Sequence, residues 1–237
     1  MRSAIFNTVF FYGFTAVVAI LCVPLTFLPS RQPIVWVLHW WARGIVQALR
    51  IVAGVTLEFR GQQNLTTDGP SLMASKHHSF CDGILILSLI PDLAIVATKD
   101  LEDYPLFGRI LKKLEMILVD TCGGGSARDN LSEAARMAYD KERHLLIYPE
   151  GQLVPVGERE RYKNGIYHLY AELDLPVTPI ATNVGMCWQC AAWKKKPGAM
   201  VVEFMAPIAT GLDQDTFMRV LEDRIEAQTA RLVEEAS

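Results

Sequence analysis

The sequence predicts an α/β domain with a largely parallel sheet of about seven strands flanked by helices, preceded by two apolar membrane-associated helices. Three observations lead there. Short runs rich in Val, Ile, Leu, Ala and Thr alternate with segments of helical periodicity from residue 55 onward. The longest uncharged stretch of the chain lies wholly at its N-terminus. The 237 residues suit one large domain with an appended segment, here divided as 1–54 and 55–237.

The elements follow in order. From Ser3 to Ser30 no Asp, Glu, Lys or Arg occurs, and Arg2 and Arg31 bracket the run. Phe6, Phe10, Phe11, Phe14, Val17, Val18, Ile20 and Leu21 make it apolar all round, long enough to cross a hydrocarbon core of ~30 Å, with Pro24 and Pro29 ending it. No small-residue cleavage site follows and the next segment is again apolar, so a retained anchor is expected rather than a cleaved signal. Residues 33–55 carry Ile34, Val35, Leu38, Trp41, Ile45, Leu49 and Val52 at helical spacing, interrupted by Arg43 and Arg50 and headed by Trp36, Trp40 and Trp41. Tryptophans and arginines on an apolar stripe suit a helix in the headgroup region or a shallow hairpin.

Strands are expected at 56–59, 71–75, 94–98, 116–119, 145–148, 177–182 and 201–205, and helices at about 83–90, 105–113, 126–142, 163–173 and 214–235. Alternation of this kind gives a mainly parallel sheet. Ser126 to Asp129 ahead of Leu131, Ala134 and Ala135 reads as a capped helix start. Phe217, Leu221, Ile225, Gln228 and Leu232 mark one face of a closing amphipathic helix.

Composition narrows the functions. Net charge is −3, so there is no basic footprint for nucleic acid. The odd set of Cys22, Cys81, Cys122, Cys187 and Cys190 is not a disulfide framework and points to a reducing compartment. Cys187 and Cys190 form a single C-x-x-C, short of the ligands that a zinc site needs, and no metal is expected.

The chemistry concentrates in Lys76-His77-His78-Ser79-Phe80-Cys81-Asp82-Gly83, directly after an expected strand. A neutral imidazole can accept a proton near pH 7, and a carboxylate beside it orients the ring and stabilises the imidazolium. Both His77 and His78 stand close enough in sequence to reach Asp82. In α/β sheets sites gather beyond the carboxyl ends of strands, where this block falls. Tyr148-Pro149-Glu150-Gly151 ends a later strand in a tight turn that places Glu150 at the same edge. Arg159, Arg161 and Lys163 form a basic cluster ahead of a helix, suited to an anion or to a solvated loop. Gly123 to Ser126 is a glycine-rich turn without the lysine of a P-loop, and Leu175 to Ile180 is a proline-flanked apolar strand.

Taken together these blocks resemble the glycerolipid acyltransferase family, especially its bacterial 1-acyl-sn-glycerol-3-phosphate acyltransferases. His77 to Asp82 matches the family's H-x4-D, Tyr148 to Gly151 its F-P-E-G, Lys163-x-Gly165 its K-x-G, and Pro176-x-x-Pro179 its last block, over residues 55 to 235. Two family arginines associated with the acceptor phosphate are replaced, by Thr121 and Leu153. A neutral side chain cannot make the bidentate contact of a guanidinium. Either Arg159, Arg161 and Lys163 take over, or the acceptor carries another headgroup.

The resemblance implies transfer of an acyl group from acyl-CoA or acyl carrier protein to the sn-2 hydroxyl of 1-acylglycerol-3-phosphate, giving phosphatidic acid. His77 would be the base and Asp82 its partner. Glu150 and Gly151 would bind acceptor or order the site, and Arg159, Arg161 and Lys163 would hold the headgroup. No cofactor beyond the donor and no acyl-enzyme are implied, although Ser79 and Cys81 stand nearby as possible nucleophiles. The expected partners are a membrane lipid acceptor, the thioester donor and the bilayer, at a bacterial inner membrane with the catalytic domain facing the cytoplasm. O-acylation of another lysolipid, such as a lyso-ornithine lipid, or a non-catalytic lipid-binding relative are the other possibilities.

Overall fold

In the computed structural model the described residues are 1–237 except 66–68, 105, 121–123 and 191, with 124–127 described by backbone alone. The chain forms α1 (Arg2–Leu25), α2 (Gln32–Ala48), β1 (Val55–Arg60), β2 (Leu72–Ser75), α3 (Asp82–Leu89), β3 (Leu93–Thr98), α4 (Phe107–Lys113), β4 (Ile117–Val119), α5 (Gly124–Asp140), β5 (His144–Ile147), α6 (Gly165–Leu173), β6 (Val177–Thr182), β7 (Gly198–Phe204) and α7 (Gln214–Glu235). The strands and helices expected beyond residue 55 are all present, with ends shifted by a few residues. Helix α5 begins at Gly124, so Ser126 lies inside its first turn instead of capping it. Apolar periodicity identifies the buried face of a helix but not its first residue. Helix α7 does carry a side-chain cap, Asp213 Oδ1 accepting from Thr216 N at 3.0 Å.

The sheet order is β1-β7-β6-β2-β5-β3-β4. Strands β6, β2, β5, β3 and β4 are mutually parallel, while β7 runs antiparallel to β6 and parallel to β1. The carboxyl ends of five strands therefore share one edge. The residues after β2, β3, β4 and β5 all emerge there, and the β6–β7 connection returns to it.

Strand alternation sorts the core into two layers. Leu72, Ala74, Leu145, Ile147 and Val177 face Leu131, Ile166, Leu169, Phe217, Leu221 and Ile225 of α5, α6 and α7. Met73, Leu146 and Ile180 face the other way, toward Ala42 and Ile45 of α2 and Leu85 and Ile86 of α3. Burial on both faces is why these strands read as continuous apolar runs.

The expectation of two membrane helices needs correction. Among the described residues one helix, α1, is long and apolar enough to cross a membrane. Helix α2 buries Ile34, Val35, His39, Ala42, Ile45 and Ala48 against the domain, leaving Trp36 and Trp40 exposed. Its apolar stripe serves the core on one side only.

Helix α1 is fastened at both ends. Near its start Arg2 Nε donates to Val52 O (2.9 Å), Asn7 Nδ2 to Trp193 O (2.5 Å), and Lys195 N to Ser3 Oγ (3.0 Å). Past its end the Arg109 guanidinium lies 4.0 Å from the Phe27 ring centre, and Lys113 Nζ donates to Leu28 O. Between these ties Val9, Tyr12, Val17, Ile20 and Leu21 point outward, each more than half exposed.

Candidate active site

The turn after β2 is shaped by Asp82. Its Oδ2 accepts the backbone N–H groups of His78 (2.7 Å) and Ser79 (2.8 Å), and His77 Nδ1 lies 3.0 Å from the same oxygen. Asp82 opens α3, where a carboxylate also answers the positive end of the helix dipole. The carboxylate is an acceptor, so in the neutral ring the hydrogen sits on Nδ1 and Nε2 is the basic nitrogen. Asp82 is almost wholly buried, whereas the His77 side chain keeps 22% of its surface accessible. The His77 ring stacks on Tyr148, centroids 4.0 Å apart and planes 20° apart, which sets its orientation from below.

The two histidines are thus told apart. His78 gives Asp82 only its backbone N–H; its buried ring packs beside Gly185, and burial pulls its pKa down to about 4. Cys81 is fully buried, and that burial pushes its thiol well up, away from the thiolate that a nucleophile needs. Ser79 Oγ is engaged with Cys190 O at 3.5 Å and with the Cys81 N–H at 3.3 Å. Cys187 and Cys190 belong to different neighbourhoods. The Cys187 sulfur sits at Gly198, whereas Cys190 donates its N–H to His78 O at 2.8 Å and bridges to Ser79.

Glu150 comes to the same edge from β5. Its Oε2 accepts the His77 N–H at 2.8 Å and its Oε1 forms a 2.6 Å ion pair with Lys76 Nζ. Glu150 is 2% exposed, and burial raises its pKa despite the Lys76 charge that pulls the other way. Both oxygens of this carboxylate face groups inside the protein, one of them the backbone N–H of the His77 turn. Gly151 takes φ +70°, and a β-carbon there would fall 2.5 Å from Lys163 Nζ. The Pro-Glu-Gly turn and Lys163 are therefore packed together, joined also by Lys163 N donating to Pro149 O (2.8 Å).

The other basic residues are placed differently. The Arg159 side chain is mostly exposed, its Nε 3.6 Å from Glu226 Oε2. Arg161 lines a separate cavity of about 240 Å³ with Asn164, Gln214, Arg219 and Glu222. Thr121, Cys122 and Gly123 lie outside the described residues. A larger cavity of about 550 Å³ opens beyond β3 and β4, lined by Lys99, Glu102, Lys112, Met116, Leu118, Asp120 and Asn130. Lys112 Nζ is 3.3 Å from Glu102 Oε2. Sequence reasoning missed Lys99 and Lys112. The available signal was positional: Lys99 directly follows a strand, as His77 follows β2 by two residues.

Several known proteins resemble this chain. The family model described as Acyltransferase matches residues 56–183. A 1-acyl-sn-glycerol-3-phosphate acyltransferase of Pseudomonas aeruginosa is 32% identical over 201 residues, covering 83% of this chain and 78% of that protein. The human 1-acyl-sn-glycerol-3-phosphate acyltransferase alpha is 22% identical over 223 residues, covering 93% and 77%. The crystal structure of the 1-acyl-sn-glycerophosphate acyltransferase PlsC from Thermotoga maritima superposes with a TM-score of 0.70 at 16% identity, over 98% of this chain and 93% of that one, a likeness of fold.

Proposed function

Since the chain belongs to the acyltransferase family, we propose that it acylates the sn-2 hydroxyl of 1-acylglycerol-3-phosphate, making phosphatidic acid. The observation that carries this is the His77–Asp82 pair: an accessible imidazole, its Nδ1–H committed to a buried carboxylate and its Nε2 free.

The mechanism follows from that pair. His77 Nε2 takes the proton of the acceptor hydroxyl as its oxygen bonds to the thioester carbonyl carbon. The imidazolium that forms is offset by Asp82, whose charge is held in place by two backbone N–H groups. The tetrahedral intermediate collapses with loss of the thiolate, which takes the proton back from His77 and leaves as a thiol. Protons and charge balance without an acyl-enzyme, in keeping with the buried, high-pKa Cys81 and the engaged Ser79. The donor is an acyl-CoA or acyl carrier protein thioester.

The acceptor phosphate belongs beyond β3 and β4. Strands β2 and β3 are separated in the sheet only by β5, so that cavity starts about two strand spacings, ~10 Å, from the His77 turn along the same edge. Of the two lysines in its lining, Lys112 is paired with Glu102, and Lys99 is the cation that takes the place Leu153 leaves without charge. Lys99→Ala is expected to raise KM for lysophosphatidate about tenfold with kcat within about twofold, as loss of one charged hydrogen bond would. The measurement is transfer of labelled acyl thioester to a panel of lysolipids in detergent. Faster transfer to a phosphate-free lysolipid, unchanged by Lys99→Ala, would replace this acceptor with that one.

The chain binds one face of a bilayer without crossing it. Both ends of α1 are tied to the catalytic domain, which cannot stand on both sides of a membrane. The outward apolar residues of α1, with Trp36 and Trp40, would lie among acyl chains and headgroups. The bilayer so occupied is the bacterial inner membrane, with the catalytic edge on the cytoplasmic side where thioester donors are dissolved. An epitope ahead of Met1 and another after Ser237 are expected to be digested by protease added to the same side of sealed vesicles. Digestion from opposite sides would show that α1 crosses.

A further inference from the structure

Behind the His77 turn lies a group of charges that the transfer chemistry does not use. Lys76 continues the sheet ladder, donating its N–H to Ile180 O at 3.1 Å, and its side chain points away from the His77 ring into the protein. There Nζ lies 2.6 Å from Glu150 Oε1 and 2.8 Å from Glu226 Oε1. Lys76 is 1% exposed, Glu150 2% and Glu226 6%. The buried hydroxyl of Tyr162 donates to Glu226 Oε1 at 3.0 Å, and Arg159 approaches the other oxygen of Glu226. Glu226 stands on the core face of α7, between Phe217, Leu221 and Ile225 on one side and Leu232 on the other, where an apolar side chain would be ordinary.

Three buried ionic side chains carry a desolvation cost that their mutual attraction rarely exceeds, so such a cluster is a poor source of stability. It does connect one element to another. A continuous path runs from Glu226 on α7 through the Lys76 ammonium to Glu150 Oε1, and from Glu150 Oε2 to the His77 N–H. The side chain of His77 is positioned by Asp82 and Tyr148, its carbonyl by the Val154 N–H, and its own N–H by this path.

We infer that Glu226 and Lys76 are positioning residues for acyl transfer: Glu226 shares the Lys76 ammonium with Glu150, and so sets where Glu150 holds the His77 backbone. This rests on the proposed role of His77. Without the Glu226 charge the ammonium is drawn to Glu150 alone, and the Glu150–His77 contact shifts with it. Neither residue touches the substrates, so their loss acts on kcat and leaves KM alone.

The test uses the full-length protein in detergent with acyl thioester and lysophosphatidate. Glu226→Gln keeps shape and a Tyr162 acceptor, and is expected to lower kcat about 10- to 100-fold, the cost of a small displacement of a reacting group, with both KM values within about twofold. In a Lys76→Gln background the same change adds no further loss, because Glu226 then has no ammonium through which to act on Glu150. Tyr162→Phe, which takes away only the hydroxyl on Glu226, is expected to lower kcat three- to tenfold, and it decides the matter should the charge variants not fold. A folded Glu226→Gln or Tyr162→Phe with parental kcat, or losses that multiply in the double variant, would overturn the inference. An active parent with unimpaired variants sinks only this couple, whereas an inactive parent sinks the transfer reading itself.

Discussion

His77→Ala is expected to lower kcat for acyl transfer by about 10³- to 10⁴-fold, with KM for lysophosphatidate within about threefold. The His77 side chain is partly accessible, and its Nδ1 lies 3.0 Å from Asp82 Oδ2, which orients the ring. The fold should tolerate the change. The turn is braced by backbone contacts that alanine keeps: the 77 N–H to Glu150 Oε2 at 2.8 Å, and the Val154 N–H to the 77 carbonyl at 2.8 Å. Steady-state kinetics beside a thermal melt separate the two effects. A folded variant within tenfold of the parental kcat would remove His77 as the base. His78→Ala gives no substitute reading of such a result, since the His78 ring is buried and that burial pulls its pKa down to about 4.

Asp82→Asn is the second large effect, expected at about 10³-fold in kcat. Three N–H groups converge on Oδ2, so the amide of asparagine must turn its oxygen toward them and keep the geometry. Only the negative charge is lost, and with it the partner of the imidazolium that forms as the hydroxyl is deprotonated. Hydrogen bonds to ionised groups are roughly twice as strong as neutral ones, so the turn keeps its contacts in weakened form and the larger loss falls on the transition state, where the imidazolium needs the charge. Asp82→Ala differs in kind. It leaves the His78 and Ser79 N–H groups buried without their acceptor, at about 1–3 kcal/mol each, and should melt earlier as well as turn over slowly. A kcat loss below tenfold for Asp82→Asn, with an unchanged melt, would reduce Asp82 to a brace for the turn.

Each side of this site was legible in the sequence to a different degree. His77 and Asp82 are close along the chain, and their meeting needs only a strand end, a short turn and a helix start, all of which leave local signals. Glu150 and Gly151 were legible as a strand-end turn because Pro-Glu-Gly is punctuation that the backbone requires. The role of Glu150 was not, since it depends on Lys76 and on the depth of burial. Arg159, Arg161 and Lys163 are neighbours in sequence yet go three ways: to Glu226, to the cavity beside α7, and to Gly151. A loop imposes no common direction on successive side chains, so their clustering in sequence carried no information about a shared ligand.

The sequence by itself determined what is local or periodic: the seven strands, the helices between them, the amphipathic stripe of α7 and the His77–Asp82 block after β2. Those features are written in residues a few positions apart, and short-range sterics and burial patterns dictate them. Only the tertiary structure decided that α1 lies along the domain with both ends tied, that Lys99 and Lys112 line the larger cavity beyond β3 and β4, and that Lys76 meets Glu150 and Glu226. These are contacts between residues far apart in the chain. They exist because the sheet order places β2 next to β5 and α7 across its face, and no spacing along the sequence encodes that order.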